Sequence, residues 1–398
     1  MERKKIFILT LLIMIISTLS LVSAVDDSGN IMESDNVETD DFSDESTNTE
    51  AYDDNSFTAL INDIEAADDD VDITKDYSYN PIVDDEERNT AIVIENCEFT
   101  INGNNHVIDG RNTKYIFVIM NSIVEINNLT LKNAADTSIY CKNSSIITNN
   151  VVFEGSDQEY RAVYADSSNY DSKNDVFINN YNKYGSAVYT DNSLVNITNA
   201  TFKTNKDSVW GMLYFENSNF NVTNTTFNDL NSKYSTAIYT LNGTGNIENC
   251  NFINLEANLT AGAIGLKAIE DNILIRNCSF VNITSMKNGG AIYADVACRL
   301  DTKGRVYLHE CVFTNCTSGF GGAILQLGGY LDIDECRFND NFALYKGGAV
   351  YTSFTDLVII NSIFKNNELV LFDDSYSQGG ALYFDYATLD ISDSTFED

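Results

Sequence analysis

The sequence predicts an all-β fold, a right-handed single-stranded parallel β-helix of about eleven coils entered through one short capping helix. Three observations predict it. First, a phenylalanine recurs roughly every 25 residues, at Phe153, Phe177, Phe202, Phe227, Phe252, Phe280, Phe313, Phe338, Phe364 and Phe396, and a period of that size marks a repeat array. Second, another phrase keeps step with it, as in Gly289-Gly290-Ala291-Ile292-Tyr293, Gly347-Gly348-Ala349-Val350-Tyr351 and Gly379-Gly380-Ala381-Leu382-Tyr383. Third, each unit holds only short runs divided by Asn, Asp, Ser, Gly or Lys, with no room for a ten-residue helix. Three short strands per unit, joined by polar bends, make one coil. The leucine-rich spacing is absent, and a propeller blade needs about 40 residues.

Taken in order, the chain opens with Arg3, Lys4 and Lys5, an apolar run from Ile6 to Val22, and the small-residue site Val22-Ser23-Ala24. This is the pattern of an export signal over residues 1–24, cleaved after Ala24 by signal peptidase. The alternative is an uncleaved anchor, for which the run is at the short limit. Residues 25–55 are strongly acidic and lack an apolar period, so they are expected to be disordered. Either they hold the repeats away from a surface or they only keep the chain soluble.

Residues 56–398 form the β-helix. Phe57, Leu60, Ile61 and Ile64 fall on one face of a helix that Ser56 can cap. A helix placed there would plug the open end of the array and cover its strand edges. Val71 to Thr74 reads as the first strand, followed by Ile92–Ile94, Cys97–Ile101 and Val107–Ile108. From Ile116 each coil carries an aliphatic run (Leu331-Asp332-Ile333), a phenylalanine run (Cys336-Arg337-Phe338) and a tyrosine run (Ala349-Val350-Tyr351).

Alternation decides which side chains face in. Phe202 is followed by Lys203 and Phe364 by Lys365, so the phenylalanines point inward and stack as a ladder. In the tyrosine run the middle residue is always aliphatic, for example Val163, Val188, Leu213, Ile238 and Ile292. That uniformity marks an interior position and turns the tyrosines outward. Tyr164, Tyr189, Tyr214, Tyr239, Tyr293, Tyr351 and Tyr383, with Tyr140, would form a flat outer stripe edged by Asp166, Asp191, Glu216, Asp295 and Asp385. A bend after each tyrosine would allow the opposite orientation. Asn180, Asn205, Asn341 and Asn367, each three residues after the phenylalanine, are expected to form an asparagine ladder.

Composition bounds the function. A formal net charge of −35 argues against nucleic acid or an anionic membrane as partner. With two histidines, His106 and His309, in different coils, neither a histidine cluster nor a nucleophile–histidine triad has material. Cys97, Cys250, Cys278, Cys311 and Cys336 precede a phenylalanine by two residues and read as a column of small buried thiols rather than a metal ladder. Pairing of Cys298 with Cys316 stays open. Carboxylates occur in rows, not as the facing pair of a sugar-cleaving enzyme. Asp332 with Asp334, or Asp373 with Asp374, could hold calcium weakly, although solvated bends explain them as well. No cofactor or metal is expected. Asn-x-Ser/Thr sequons at Asn128, Asn143, Asn196, Asn199, Asn221, Asn224, Asn242, Asn258, Asn277, Asn282 and Asn315 are candidates for glycosylation, those on bends being accessible.

The Phe-x-x-Asn phrase (Phe202–Asn205, Phe338–Asn341, Phe364–Asn367) with Gly-Gly-Ala resembles the repeat of polymorphic outer-membrane proteins. The signal peptide, acidic segment, one-helix cap and Ile101-Asn102-Gly103-Asn104-Asn105-His106-Val107-Ile108-Asp109-Gly110 are more similar to adhesin-like surface proteins of methanogenic archaea. The resemblance spans roughly residues 56–398. It implies a pectate-lyase-like β-helix, secreted or displayed at the cell surface, mediating attachment without catalysis. Neither the membrane barrel of the first family nor the extra modules of the second is seen, and the chain stops inside a coil, as a fragment would. The leading expectation is a non-catalytic adhesin whose outer face binds an extracellular glycan or a surface protein of another cell. A polysaccharide lyase or glycoside hydrolase on the same fold, and a passive spacer, stay open, since fold alone does not choose.

Overall fold

The computed structural model describes residues 54–84, 91–155, 160–203, 208–296, 304–369 and 378–397. The expected signal peptide, nearly all of the acidic segment, and Asn205, Cys298, Asp373 and Asp374 lie outside them. The described chain is an all-β parallel solenoid of about 11 turns with one short helix near its start. Three sheets of 13, 16 and 12 strands run its length, and successive strands of a coil join successive sheets. They are the aliphatic, phenylalanine and tyrosine sheets respectively. Pairing is parallel and in register: Val195 beside Phe220, Phe177 beside Phe202, Tyr164 beside Tyr189.

Helix α1 (Phe57–Ala66) covers the first coil. The Ser56 hydroxyl accepts from the Ala59 amide at 3.2 Å, which satisfies one of the free N–H groups of the first turn. Two more are taken by a residue that no sequence pattern singles out. The buried Asp84 carboxylate accepts from the Phe57 and Thr58 amides at 3.1 and 2.7 Å, a favourable place for a negative charge. Phe57, Leu60 and Ile64 are buried in the core, so the helix plugs the solenoid as expected. The first strand is Asp70–Asp72, one residue earlier than Val71.

The phenylalanine ladder holds the middle of the core. From Phe153 to Phe396 each ring stacks on the next with centroids 4.5–5.1 Å apart and planes within 2–9°. Phe153 to Phe364 are fully buried, while Lys203 and Lys365 point to solvent. Each buried ring contributes roughly 2–3 kcal/mol. The cysteine column starts later than the sequence pattern predicts. Phe99 lies in the aliphatic sheet, in register with Val124, so Cys97 is not part of the thiol column. It heads a different column, and its amide donates to the Ser122 hydroxyl at 3.2 Å.

Corners explain the polar composition. Between the tyrosine and aliphatic sheets the corner residue has left-handed φ, as at Asn143 (50°), Ser167 (52°), Asn192 (50°), Asn217 (48°) and Asn242 (54°). The corner from the aliphatic to the phenylalanine sheet repeats this at Asn128, Asn150, Asn174, Asn199, Asn224, Asn249 and Asn277. Asparagine tolerates that conformation better than other side-chain-bearing residues. In the glycine pairs each member has its own reason. Gly347 has φ +61°, and a Cβ on Gly348 would come within 2.0 Å of the Gly380 carbonyl oxygen in the next coil. The phenylalanine strands also run further than three to five residues: Thr226–Ser232, Asn251–Ala257 and Ser279–Ser285 continue through a left-handed residue.

The asparagine ladder after the phenylalanine is present at the far end, where the Asn341 amide donates to Asn367 Oδ1 at 2.9 Å. Cys316 occupies the same column, and its amide donates to Asn341 Oδ1. Asn180 is fully buried there with neither amide atom hydrogen-bonded. More extensive ladders sit on the outside, such as Asn196–Asn221–Asn246, with amides donating at 2.9 Å.

Candidate functional site

The expected tyrosine stripe exists as a column, but it is neither flat nor open. Tyr164, Tyr189, Tyr293, Tyr351 and Tyr383 point outward and are half-buried, whereas Tyr214 and Tyr239 are 5% and 6% exposed. Neighbouring rings lie about 5 Å apart and tilt against one another, unlike the phenylalanines that stack parallel at a similar spacing. Tyr140–Tyr164 and Tyr164–Tyr189 meet at 65° and 67°, and Tyr351–Tyr383 at 65°. Trp210, in the connection leading to the tyrosine strand, stacks on Tyr234 at 4.1 Å and leans on Tyr239 at 4.5 Å. It covers the two central rings. Arg161 lies over Tyr164 and Tyr189, and Lys346 over Tyr351 and Tyr383. The column breaks at Gly265 and Leu325.

Burial and nearby acids keep the phenols protonated. Burial first, then Asp166, pushes the Tyr164 hydroxyl up to about 12, and burial with Asp295 does the same to Tyr293. Burial pushes Tyr189 up as well, and it rises further because its hydroxyl donates to Glu216 Oε2 at 2.7 Å. The flanking acids are engaged as well. Asp166 pairs with Lys142 at 2.8 Å, and Asp191 accepts from the side-chain amides of Asn192 and Asn217 at 2.9 and 3.1 Å. Asp295 lies beside Lys267 in register.

Beside these acids runs a feature the sequence reading missed. A shallow groove of about 350 Å³, wide open to solvent, follows the corner between the tyrosine and aliphatic sheets across three consecutive coils. Ser167, Asn192 and Asn217 form its crest, and Asn169, Leu194 and Asn219 its aliphatic-sheet side. Leu194 is 43% exposed, an apolar floor among amides. Beneath it the hydroxyls of Ser168, Ser193 and Ser218 are buried, each accepting from the amide one coil earlier at 3.0–3.1 Å. The signal was available in the sequence, because Ser-Ser-Asn169, Asn-Ser-Leu194 and Asn-Ser-Asn219 recur at the coil period.

The sequons fall into ladders. Asn128, Asn199, Asn224 and Asn277 are corner residues, as are Asn143 and Asn242, while Asn282 and Asn315 sit at the kink beyond the phenylalanine. Asn196 and Asn221 are on the aliphatic strands. The side-chain amides of Asn196, Asn199, Asn221, Asn242, Asn277, Asn282 and Asn315 each donate to an Asn or Asp one coil earlier. Asn258 is exposed just after the strand Asn251–Ala257. Accessible bends are thus there, but most sequon nitrogens are rungs.

Cys250, Cys278, Cys311 and Cys336 are buried, unpaired thiols in one column. Asp332 lies 3.5 Å from Arg305 and Asp334 lies 3.2 Å from His309, so each has a partner within the protein.

Among known families, the model for the right-handed beta helix region matches residues 236–398. No curated protein and no solved structure matches the chain.

Proposed function

We propose that the protein is an exported, surface-displayed, non-catalytic binding protein that takes extracellular glycan at the corner groove. The observation that carries this reading is the groove itself, with its combination of groups. Sugars present hydroxyl rims and apolar C–H faces. Amides of Asn169, Asn192 and Asn219 and the hydroxyl of Ser167 can exchange hydrogen bonds with hydroxyls. Leu194 offers the apolar contact, and Asp166, Asp191 and Glu216, each preceding a crest residue in sequence, keep lone pairs beyond those used by their internal partners. Repetition over coils makes weak single contacts additive along a linear polysaccharide. In this reading the tyrosine column is mainly a rigid wall that positions the acids. Attachment to another cell's surface glycan follows if the groove is displayed outward.

The test is a glycan array probed with the full chain, followed by the double variant Leu194→Ala, Asn219→Ala. Both side chains are exposed, so the fold should hold, checked by circular dichroism. At least about a tenfold loss of affinity for the best array hit is expected. Unchanged affinity would remove the groove from the binding site. Release of reducing ends or unsaturated sugar at enzymatic turnover would replace the adhesin reading with a catalytic one.

A further inference from the structure

On the corner leading from the aliphatic to the phenylalanine sheet, two consecutive coils depart from the pattern. Asn249, Asn277 and Asn361 hold that position in the flanking coils, but Glu310 and Glu335 hold it in between, with φ of 54° and 51°. Like charges stacked one coil apart repel. His309, the strand residue before Glu310, is in register with Asp334. Its Nδ1 lies 3.2 Å from Asp334 Oδ2, and its Nε2 lies 3.6 Å from Glu310 Oε2. One ligand atom each from His309, Glu310 and Glu335 lies within 4.8 Å of the others. Arg276 Nε, 3.5 Å from Glu310 Oε2, balances one carboxylate. Glu335 has no cationic partner among the described residues.

We propose that this corner binds one divalent transition-metal ion of the zinc class, through Nε2 of His309 and one oxygen each from Glu310 and Glu335. The imidazole separates it from an acidic patch. Carboxylates alone suit calcium or magnesium, whereas an imidazole nitrogen among them shifts preference toward zinc, cobalt or nickel. Asp334, accepting from Nδ1–H, selects the tautomer whose Nε2 lone pair is free for a metal and fixes the ring's orientation. An ion between Glu310 and Glu335 removes their repulsion and staples two coils. Water completes the coordination, since the site is open to solvent. No histidine cluster in the sequence marks this corner. The ligands come from adjacent coils and meet only when the coil period is folded up.

The test titrates the full chain with Co²⁺ and Zn²⁺, following heat and the visible absorption of bound cobalt. One tight equivalent is expected, undisturbed by excess Mg²⁺. His309→Gln and Glu335→Gln should each weaken it by at least about 10-fold. His106→Gln, at the chain's other histidine, which pairs with Asp76, should leave it unchanged. Equal binding by His309→Gln, or the near-ultraviolet band of a cobalt–thiolate bond, overturns the site. So does the absence of any saturable equivalent.

Discussion

At the scale of single residues, the corner side chains are chosen by what they can donate and accept. The Ser122, Ser144, Ser168, Ser193 and Ser218 hydroxyls each accept from the amide one coil back and donate to the carbonyl two residues before. The thiols of the other corner copy this. Cys250 N–H points to Cys278 Sγ at 3.5 Å, and Cys278 Sγ donates to the Arg276 carbonyl at 3.2 Å. Thr225 and Ser362 do the same work elsewhere in the column. Sulfur is therefore standing in for oxygen, and Cys278→Ser should change stability by less than about 1 kcal/mol. Cys278→Val removes the acceptor and leaves a buried amide unpaired, at about 1–3 kcal/mol, read from denaturant midpoints. Equal effects would show that volume, not hydrogen bonding, decides this position. In the same column Asp175 is fully buried, with Ser172 and Thr148 hydroxyls and the Val151 amide on its oxygens. Burial raises its pKa to about 6, and the hydrogen bonds lower it only in part. The folded state thus holds this proton more tightly than the unfolded chain does. Its contribution to stability is complete below about pH 4 and is lost as pH rises through 6. Asp175→Asn should therefore flatten the stability profile between those pH values. A profile unchanged by the substitution would mean the carboxyl titrates normally.

At the scale of elements, what was readable is what repeats within one coil. The phenylalanine ladder, the helix cap and the inward aliphatic position follow from spacing alone, because each depends on the neighbouring residue or on the period. Phe338→Ala should cost roughly 3–5 kcal/mol as a buried large-to-small change. Lys365→Ala, at an exposed position one residue after the next ladder ring, should lie within about 0.5 kcal/mol of zero. Equal losses in thermal melts would contradict the ladder. The features that were not readable depend on distance across coils. Phe99 looks like a ladder residue in sequence, yet pairing with Val124 puts it in another sheet. Tyr214 and Tyr239 carry the same local pattern as Tyr164, and only the fold of the connection bearing Trp210 buries them. Asp84 reaches back to the helix amides from 26 and 27 residues away. The groove and the His309 corner are of this kind too, since each is assembled from equivalent positions of adjacent coils.

At the scale of the whole molecule, in-register stacking turns composition into electrostatics. Any charged position repeated in adjacent coils lies about 4.8 Å from its copy, as Asp166, Asp191 and Glu216 do along one column. The chain carries 59 acids against 24 Lys and Arg, so the net charge is strongly negative even though many charged neighbours in register are opposite in sign, as at Asp109–Lys132, Lys132–Glu154, Glu248–Arg276 and Lys267–Asp295. Ion pairs such as Lys142–Asp166 and Arg305–Asp332 offset part of this, but exposed pairs are worth only about 0–1 kcal/mol each. Net repulsion should then oppose the folded rod. Screening length decides how salt acts. It is about 8 Å at 0.15 M and about 3 Å at 1 M, so adjacent-coil repulsion survives physiological salt and is screened only well above it. The melting temperature should consequently keep rising between 0.15 M and 1 M NaCl, instead of levelling off near 0.15 M. Replacing Asp191 by Asn should reduce the rise, because it removes the middle member of the acidic column while an amide can still occupy that edge. A melting temperature that falls with salt would mean that ion pairs outweigh the stacked acids. A rise complete by 0.15 M would mean that the relevant charges are further apart than one coil.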